Sequence, residues 1–177
     1  MVLVFQHLPG AQNVIADEES RKFDDDKEWM IVKPIFDVIV EHFGQFSIDL
    51  FASRLNAQLS RYVSWRPDPD SEYIDAFSRS WKNINFYAFP PFSVIVKCLQ
   101  KIVVDKAEGI LVVPLWTGQT WFPKILSLLC QNPLVLPLDV LIQPRSRERH
   151  HLSNNLRLKY PRLTEPPIRH NSLNISS

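Results

Sequence analysis

Two short stretches carry residue types that could do chemistry. In Ile84-Asn85-Phe86-Tyr87-Ala88-Phe89-Pro90-Pro91-Phe92-Ser93 an apolar, strand-like run stops at two prolines followed by an aromatic residue. Consecutive prolines fix φ, remove two backbone donors and hold the residue before each extended, so neither a helix nor a central strand continues through them. Carbonyls are freed there beside the Phe92 ring, a setting suited to a base drawn out of its stack and held against an aromatic face. An enzyme acting on an exocyclic amino group also needs an acceptor for the amino hydrogen. The residue before the prolines is Phe89, and a phenyl ring supplies no such acceptor. Asn85 lies four residues upstream, and on a strand rising about 3.3 Å per residue it would stand roughly 13 Å from the turn. The second stretch is Ile48-Asp49-Leu50-Phe51-Ala52. An acid at the end of an early buried strand can accept from a ribose or an amino group; it can equally cap the next segment or pair with Arg54.

The elements that must position these residues alternate. Pro34 suits the first turn of a helix whose apolar face is Ile35, Phe36, Val38, Ile39 and Phe43, closed by Gly44. Phe46–Ala52 reads as a buried strand, Arg54–Tyr62 as the start of a helix that runs into the polar loop Trp65-Arg66-Pro67-Asp68-Pro69-Asp70, and Ile84–Ala88 as the next strand. Phe92, Ile95, Val96, Leu99, Ile102 and Val103 recur at helical spacing and predict a helix over Phe92–Val104. Gly109 introduces Ile110–Leu115, a β-branched run of the kind found in parallel strands buried on both faces. A helix over Thr120–Cys130 and short strands at Leu134–Leu136 and Val140–Ile142 complete the pattern. Strands alternating with helices predict an α/β domain on a largely parallel sheet, and the carboxyl edge of such a sheet is where ligands bind.

Composition narrows the partners. A formal charge of +1 over 177 residues excludes a uniformly basic chain, so any nucleic-acid contact has to come from a local patch. Residues 144–177 hold such a patch, with seven basic side chains against two acidic ones, a net of +5. Within it, Arg145, Arg147 and Arg149 could contact phosphates in a sequence-independent, salt-sensitive way or form a solvated tail. Cys98 and Cys130 lie far apart in apolar runs and read as buried reduced thiols. There is no GxGxxG and no GxxxxGK to cradle phosphates. No apolar run has membrane-spanning length and the start lacks a signal pattern, so an intracellular location, nuclear or cytoplasmic, with no membrane partner is expected. Trp65, Trp81, Trp116 and Trp121 fall at element junctions, where core packing is expected for most and Trp116 could border the ligand edge.

Phe43-Gly44-Gln45-Phe46-Ser47-Ile48-Asp49-Leu50-Phe51-Ala52 and Asn85–Phe92, followed by Gly109–Pro114 and Trp121-Phe122, resemble the phage-type DNA N-6-adenine methyltransferases. The resemblance implies a Rossmann-like methyltransferase fold. It places Asp49, with Ala52 beside it, on the S-adenosylmethionine side, and Pro90, Pro91 and Phe92 at the Pro-Pro-aromatic part of the catalytic loop. That family has Asn or Asp where this chain has Phe89, which implies lost methyl transfer and lost cofactor use; the alternative is an active S-adenosylmethionine-dependent enzyme. His7-Leu8-Pro9-Gly10-Ala11-Gln12-Asn13-Val14-Ile15-Ala16-Asp17-Glu18-Glu19-Ser20-Arg21 resembles the carboxyl end of the ribonuclease H domain of retroelement reverse transcriptases, with the last catalytic, metal-binding carboxylate on Asp17. A divalent metal is implied there only if the upstream domain is present. Together the pieces resemble the polyprotein of DIRS-type retroelements. The organisation implied is a ribonuclease H remnant over residues 1–23, a linker over 24–32, a methyltransferase-like α/β domain over 33–143 and a flexible basic tail over 144–177. The implied partners are nucleic acid, as DNA or an RNA–DNA hybrid, and the rest of the polyprotein.

Overall fold

A computed structural model describes residues 2–6, 29–136 and 141–142 of the chain. Among the described residues the strands are β1 (Val2–Gln6), β2 (Met30–Ile31), β3 (Ile48–Asp49), β4 (Asn85–Ala88), β5 (Glu108–Pro114), β6 (Leu134–Leu136) and β7 (Leu141–Ile142). The helices are α1 (Lys33–Phe43), α2 (Ile95–Asp105) and α3 (Phe122–Ser127), with 3₁₀ turns at Ala76–Ser78 and Phe92–Val94. Five strands form one sheet in the order β3-β4-β5-β1-β6, every neighbouring pair parallel. β2 and β7 form a separate antiparallel pair. The chain is therefore an α/β protein on a parallel sheet, as the alternation of elements predicts.

Side-chain alternation along the strands divides the core into two layers. Tyr87, Ile110, Val112, Leu134 and Leu136 face α1, whose Ile35, Phe36 and Ile39 are buried against them with Ile31 and Val32. Phe86, Ala88, Leu111 and Val113 face the other way, against Ile95, Cys98, Leu99 and Ile102 of α2, Ile125 of α3, and Val63 and Trp81 from the long segment between β3 and β4. β5 is buried from Gly109 to Pro114, as its uninterrupted apolar run requires. Gly109 is needed there because a Cβ would stand 2.4 Å from the Phe86 carbonyl oxygen and 2.7 Å from its ring. At the end of α1, Gly44 takes φ 91° and returns its N–H to the Val40 carbonyl.

The segment between β3 and β4 is no helix at its start. Over 54–62 it is a series of turns, because short polar side chains capture the backbone donors a helix would use: Ser53 N–H donates to Asn56 Oδ1, Leu55 N–H to Ser53 Oγ, and Arg54 N–H to Asp68 Oδ2. It then returns alongside β3, where Asp49 N–H donates to the Arg61 carbonyl and Val63 N–H to the Asp49 carbonyl. A further parallel bridge joins Ser64 to Ile74. The outer edge of β3 is thus covered by its own loop, the common remedy for an exposed edge strand.

Other expectations shift at their ends. The expected strand over Phe46–Ala52 narrows to Ile48–Asp49, and the helix after the prolines begins as a 3₁₀ turn before α2. The helix expected over Thr120–Cys130 contracts to Phe122–Ser127, so Cys130 is exposed rather than buried. Met30–Ile31, placed in the linker, pairs with β7, and Ile31 and Val32 are buried. Val2–Gln6, assigned to a separate remnant, lies between β5 and β6 in the same sheet. The apolar run Val2–Phe5 fills the gap between two strands that are neighbours in sequence order but not in the sheet. The charge cluster Asp24–Glu28 and the tail from residue 143 lie outside the described residues.

Candidate functional site

Because β3 and β4 are adjacent and parallel, with Asp49 in register with Tyr87, the segments leaving their carboxyl ends emerge side by side. Between them opens a cleft of about 780 Å³. One wall is the loop Leu50–Asn56 and the stretch Ser64–Pro69; the other is Phe89-Pro90-Pro91-Phe92-Ser93-Val94 with Lys97, and Asp75, Ala76 and Phe77 close the floor. This is the sheet edge at which open α/β folds bind ligands.

The proline turn is rigid and backed by rings. Ala88 ends β4 fully buried, Pro90 is buried, and Pro91 at φ −51° and ψ 145° leads into the 3₁₀ turn, with Val94 N–H donating to its carbonyl. The Phe92 ring meets Trp116 edge-on at 4.9 Å between centroids. Trp116 is 7% exposed and stands behind the turn, so it supports Phe92 rather than lining the cleft. Phe89 does line the cleft, half-buried, and packs on the α1 side of the core.

The facing wall is held by carboxylates. Asp49 is 2% exposed; its Oδ1 accepts from Phe51 N–H at 3.4 Å and its Oδ2 from Gln58 N–H at 3.0 Å. Burial pushes its pKa up to about 7, and the two backbone donors restrain that rise. Asp68 collects three donors: Arg54 N–H at 2.9 Å, the Tyr62 hydroxyl at 3.0 Å and Asp70 N–H at 3.2 Å. The Arg54 amide is the leading reason its carboxyl sits below the usual range. Trp81, fully buried, anchors the end of the segment by donating from Nε1 to the Ala76 carbonyl at 2.7 Å and from its backbone N–H to Asp105.

The residues expected to share a site divide accordingly. Pro90, Pro91, Phe92 and Ala52 border one cleft. Asp49 sits at its root and does not line it; both oxygens are turned onto its own loop, so of the readings open for it the capping one matches the contacts, although what it caps is a loop and not a helix. Asn85 is at the far end of β4, where its Nδ2 donates to the Gln45 carbonyl at 2.7 Å. Asp17, Arg145, Arg147 and Arg149 lie outside the described residues. Sequence reasoning missed Arg54, Asp68, Phe77 and Lys97, which line the cleft; core packing, expected for most of the junction tryptophans, does not hold for Trp65, which is 61% exposed. The signal was present for Asp68, since alternating prolines and aspartates mark a stiff loop with self-capping side chains. Among the described residues no His, Cys, Asp or Glu cluster could hold a metal, and no helix is long and apolar enough to cross a membrane.

A parallel α/β sheet with a cleft at its carboxyl edge and a Pro-Pro-aromatic turn in that cleft defines a domain of the methyltransferase-like class. Residues 19–129, more than half of the chain, match the family model of DNA N-6-adenine-methyltransferase (Dam), and the chain belongs to that family. No curated protein and no solved structure matches it. Dam methyltransferases use S-adenosylmethionine. The cleft has room for a ligand of that size, but the acid expected to meet it does not fit the role, because Asp49 is buried and already accepts from two amides of its own loop.

Proposed function

We propose that this chain is a methyltransferase-like module that keeps the family's fold and cleft, has lost methyl transfer, and binds nucleic acid, DNA or an RNA–DNA hybrid, as part of a retroelement polyprotein. The observation that carries the reading is Phe89, a ring at the cleft position where an amide or carboxylate oxygen would have to accept the amino hydrogen of the base. Asn85 does not replace it: three residues separate the two, and its side chain is engaged at the opposite end of β4. The retroelement context is supported by the likeness of residues 7–21 to the end of a ribonuclease H domain, with Asp17 in the metal-binding position only when the upstream strands are supplied. The tail arginines Arg145, Arg147 and Arg149 add phosphate contacts. Replacing all three with alanine is expected to lower the slope of log affinity against log salt on duplex DNA by about 2.7.

The direct test is methylation. With labelled S-adenosylmethionine and adenine-containing DNA, the unaltered chain transfers no label; a gain of transfer in Phe89→Asn would show that the cleft still takes the cofactor and lacks only the acceptor. Transfer by the unaltered chain overturns the proposal. Family membership favours that second reading, an active adenine methyltransferase, in which another polar group lining the cleft, such as Asp75, would have to supply the acceptor.

A further inference from the structure

One residue of the cleft is out of keeping with its surroundings. Trp65 is 61% exposed, while the other described tryptophans at element junctions are buried or half-buried. It stands on the cleft's rim, and the Arg66 guanidinium lies 4.1 Å from its ring centroid. Large aromatic surface is left in water although burying it would be favourable. Arg66 covers part of the indole, and the rest of it stays open to solvent.

The loop bearing it is built to stay in place. Ser64 at its base is 3% exposed, and its hydroxyl donates to the Arg66 carbonyl at 2.6 Å. Asp75 N–H donates to the Ser64 carbonyl, and Ala52 N–H to the Val63 carbonyl. Pro67 and Pro69 stiffen the return, and Asp68 between them binds the Arg54 amide and the Tyr62 hydroxyl. Across the cleft, Lys97 lies 4.1 Å over the Phe77 ring and has no ion pair among the described residues. Arg54 is also exposed on the lining and carries no ion pair among the described residues.

We propose that the Trp65–Arg66 rim is a stacking platform for one unpaired base of single-stranded nucleic acid, whose phosphates run past Arg54 and Lys97. The inference rests on the nucleic-acid reading given above and names the form of nucleic acid that reading takes. An exposed indole face offers stacking to any base, and only a base already out of a duplex can use it. The Arg66 guanidinium lies over the ring and adds positive charge beside a base stacked on the indole surface left open. Arg54 and Lys97 supply the backbone track, whereas Asp68 has its oxygens committed to the loop. A small apolar ligand would have no use for those cations.

The test is fluorescence anisotropy of the full 177-residue chain with a labelled mixed-sequence single strand, the duplex of the same sequence, and an RNA–DNA hybrid. The single strand is expected to bind about tenfold or more tighter than either duplex. Trp65→Ala weakens single-strand binding by about tenfold, Trp65→Phe retains most of it, and neither variant changes duplex binding or the melting temperature, since the side chain is exposed. Lys97→Ala weakens the single strand and lowers its salt slope by about 0.7. Equal affinity for single strand and duplex, or a Trp65→Ala chain that binds the single strand unchanged, overturns the platform while leaving the nucleic-acid reading in place. Failure of every nucleic acid to bind removes both.

Discussion

The two walls of the cleft are built on different physics. The wall after β4 is held by covalent stiffness and ring contacts: Pro90 and Pro91 fix the backbone and Phe92 rests on Trp116. The wall after β3 has no regular element between Leu50 and Asp75, and it is held by carboxylates that accept from its own amides, Asp49 at the root and Asp68 at the rim. The first wall should be indifferent to pH and tolerant of small changes. The second should answer to titration and to the loss of single anchors. A cleft framed this way keeps its shape whatever chemistry it hosts, because none of the groups holding it needs to be a catalytic residue.

Breaking the anchor of the second wall should have the largest effect. Trp81→Ala removes a fully buried indole and its bond to the Ala76 carbonyl; it is expected to cost about 3–5 kcal/mol of folding stability in urea titration. A loss below about 1 kcal/mol would mean that the segment is not bolted to the core through this residue.

The pH response separates the walls next. Asp49 has a folded-state pKa raised from 3.8 to about 7 by burial, so folding favours its neutral form. Its contribution is complete below about pH 4 and is lost as pH rises through about 7, and on the order of 2–4 kcal/mol of stability should disappear across that window. Asp49→Asn is expected to flatten the curve between those limits. An identical pH profile in the variant would remove Asp49 as the titrating group.

On the opposite wall, Phe92→Ala takes away a half-buried ring and its edge contact with Trp116. About 2 kcal/mol is expected, with no change in the pH profile; an altered profile would show that the walls are coupled. The smallest effect belongs to Pro91→Ala. At φ −51° and ψ 145° alanine fits without strain, so only the freedom of the unfolded chain changes, at about 0.5–1 kcal/mol, read in the same titration.

Much of this molecule could be read along the chain, and the exceptions share a cause. The Pro34 helix with its Ile35, Phe36 and Ile39 face, the β-branched run of β5 and the stop at Pro90-Pro91 are local patterns, and they appear where they were expected. The helix expected from Arg54 fails because Asp68, fourteen residues away, takes the Arg54 amide, a competition no local propensity registers. Trp65 and Trp81 are the same residue type in the same loop, one 61% exposed and one fully buried; only the path of the segment across the sheet tells them apart.

Sequence by itself determined the α/β alternation, the rigid turn at the end of β4 and the absence of an acceptor at Phe89, because each depends on residue type and near neighbours. Tertiary structure alone decided that Val2–Gln6 enters the sheet between β5 and β6, that Asp49 turns inward from the cleft it was expected to face, and that an indole stands open at the rim. Those depend on pairings between segments far apart in the chain. Such pairings are selected by the free energy of the whole fold, which no single stretch of residues contains.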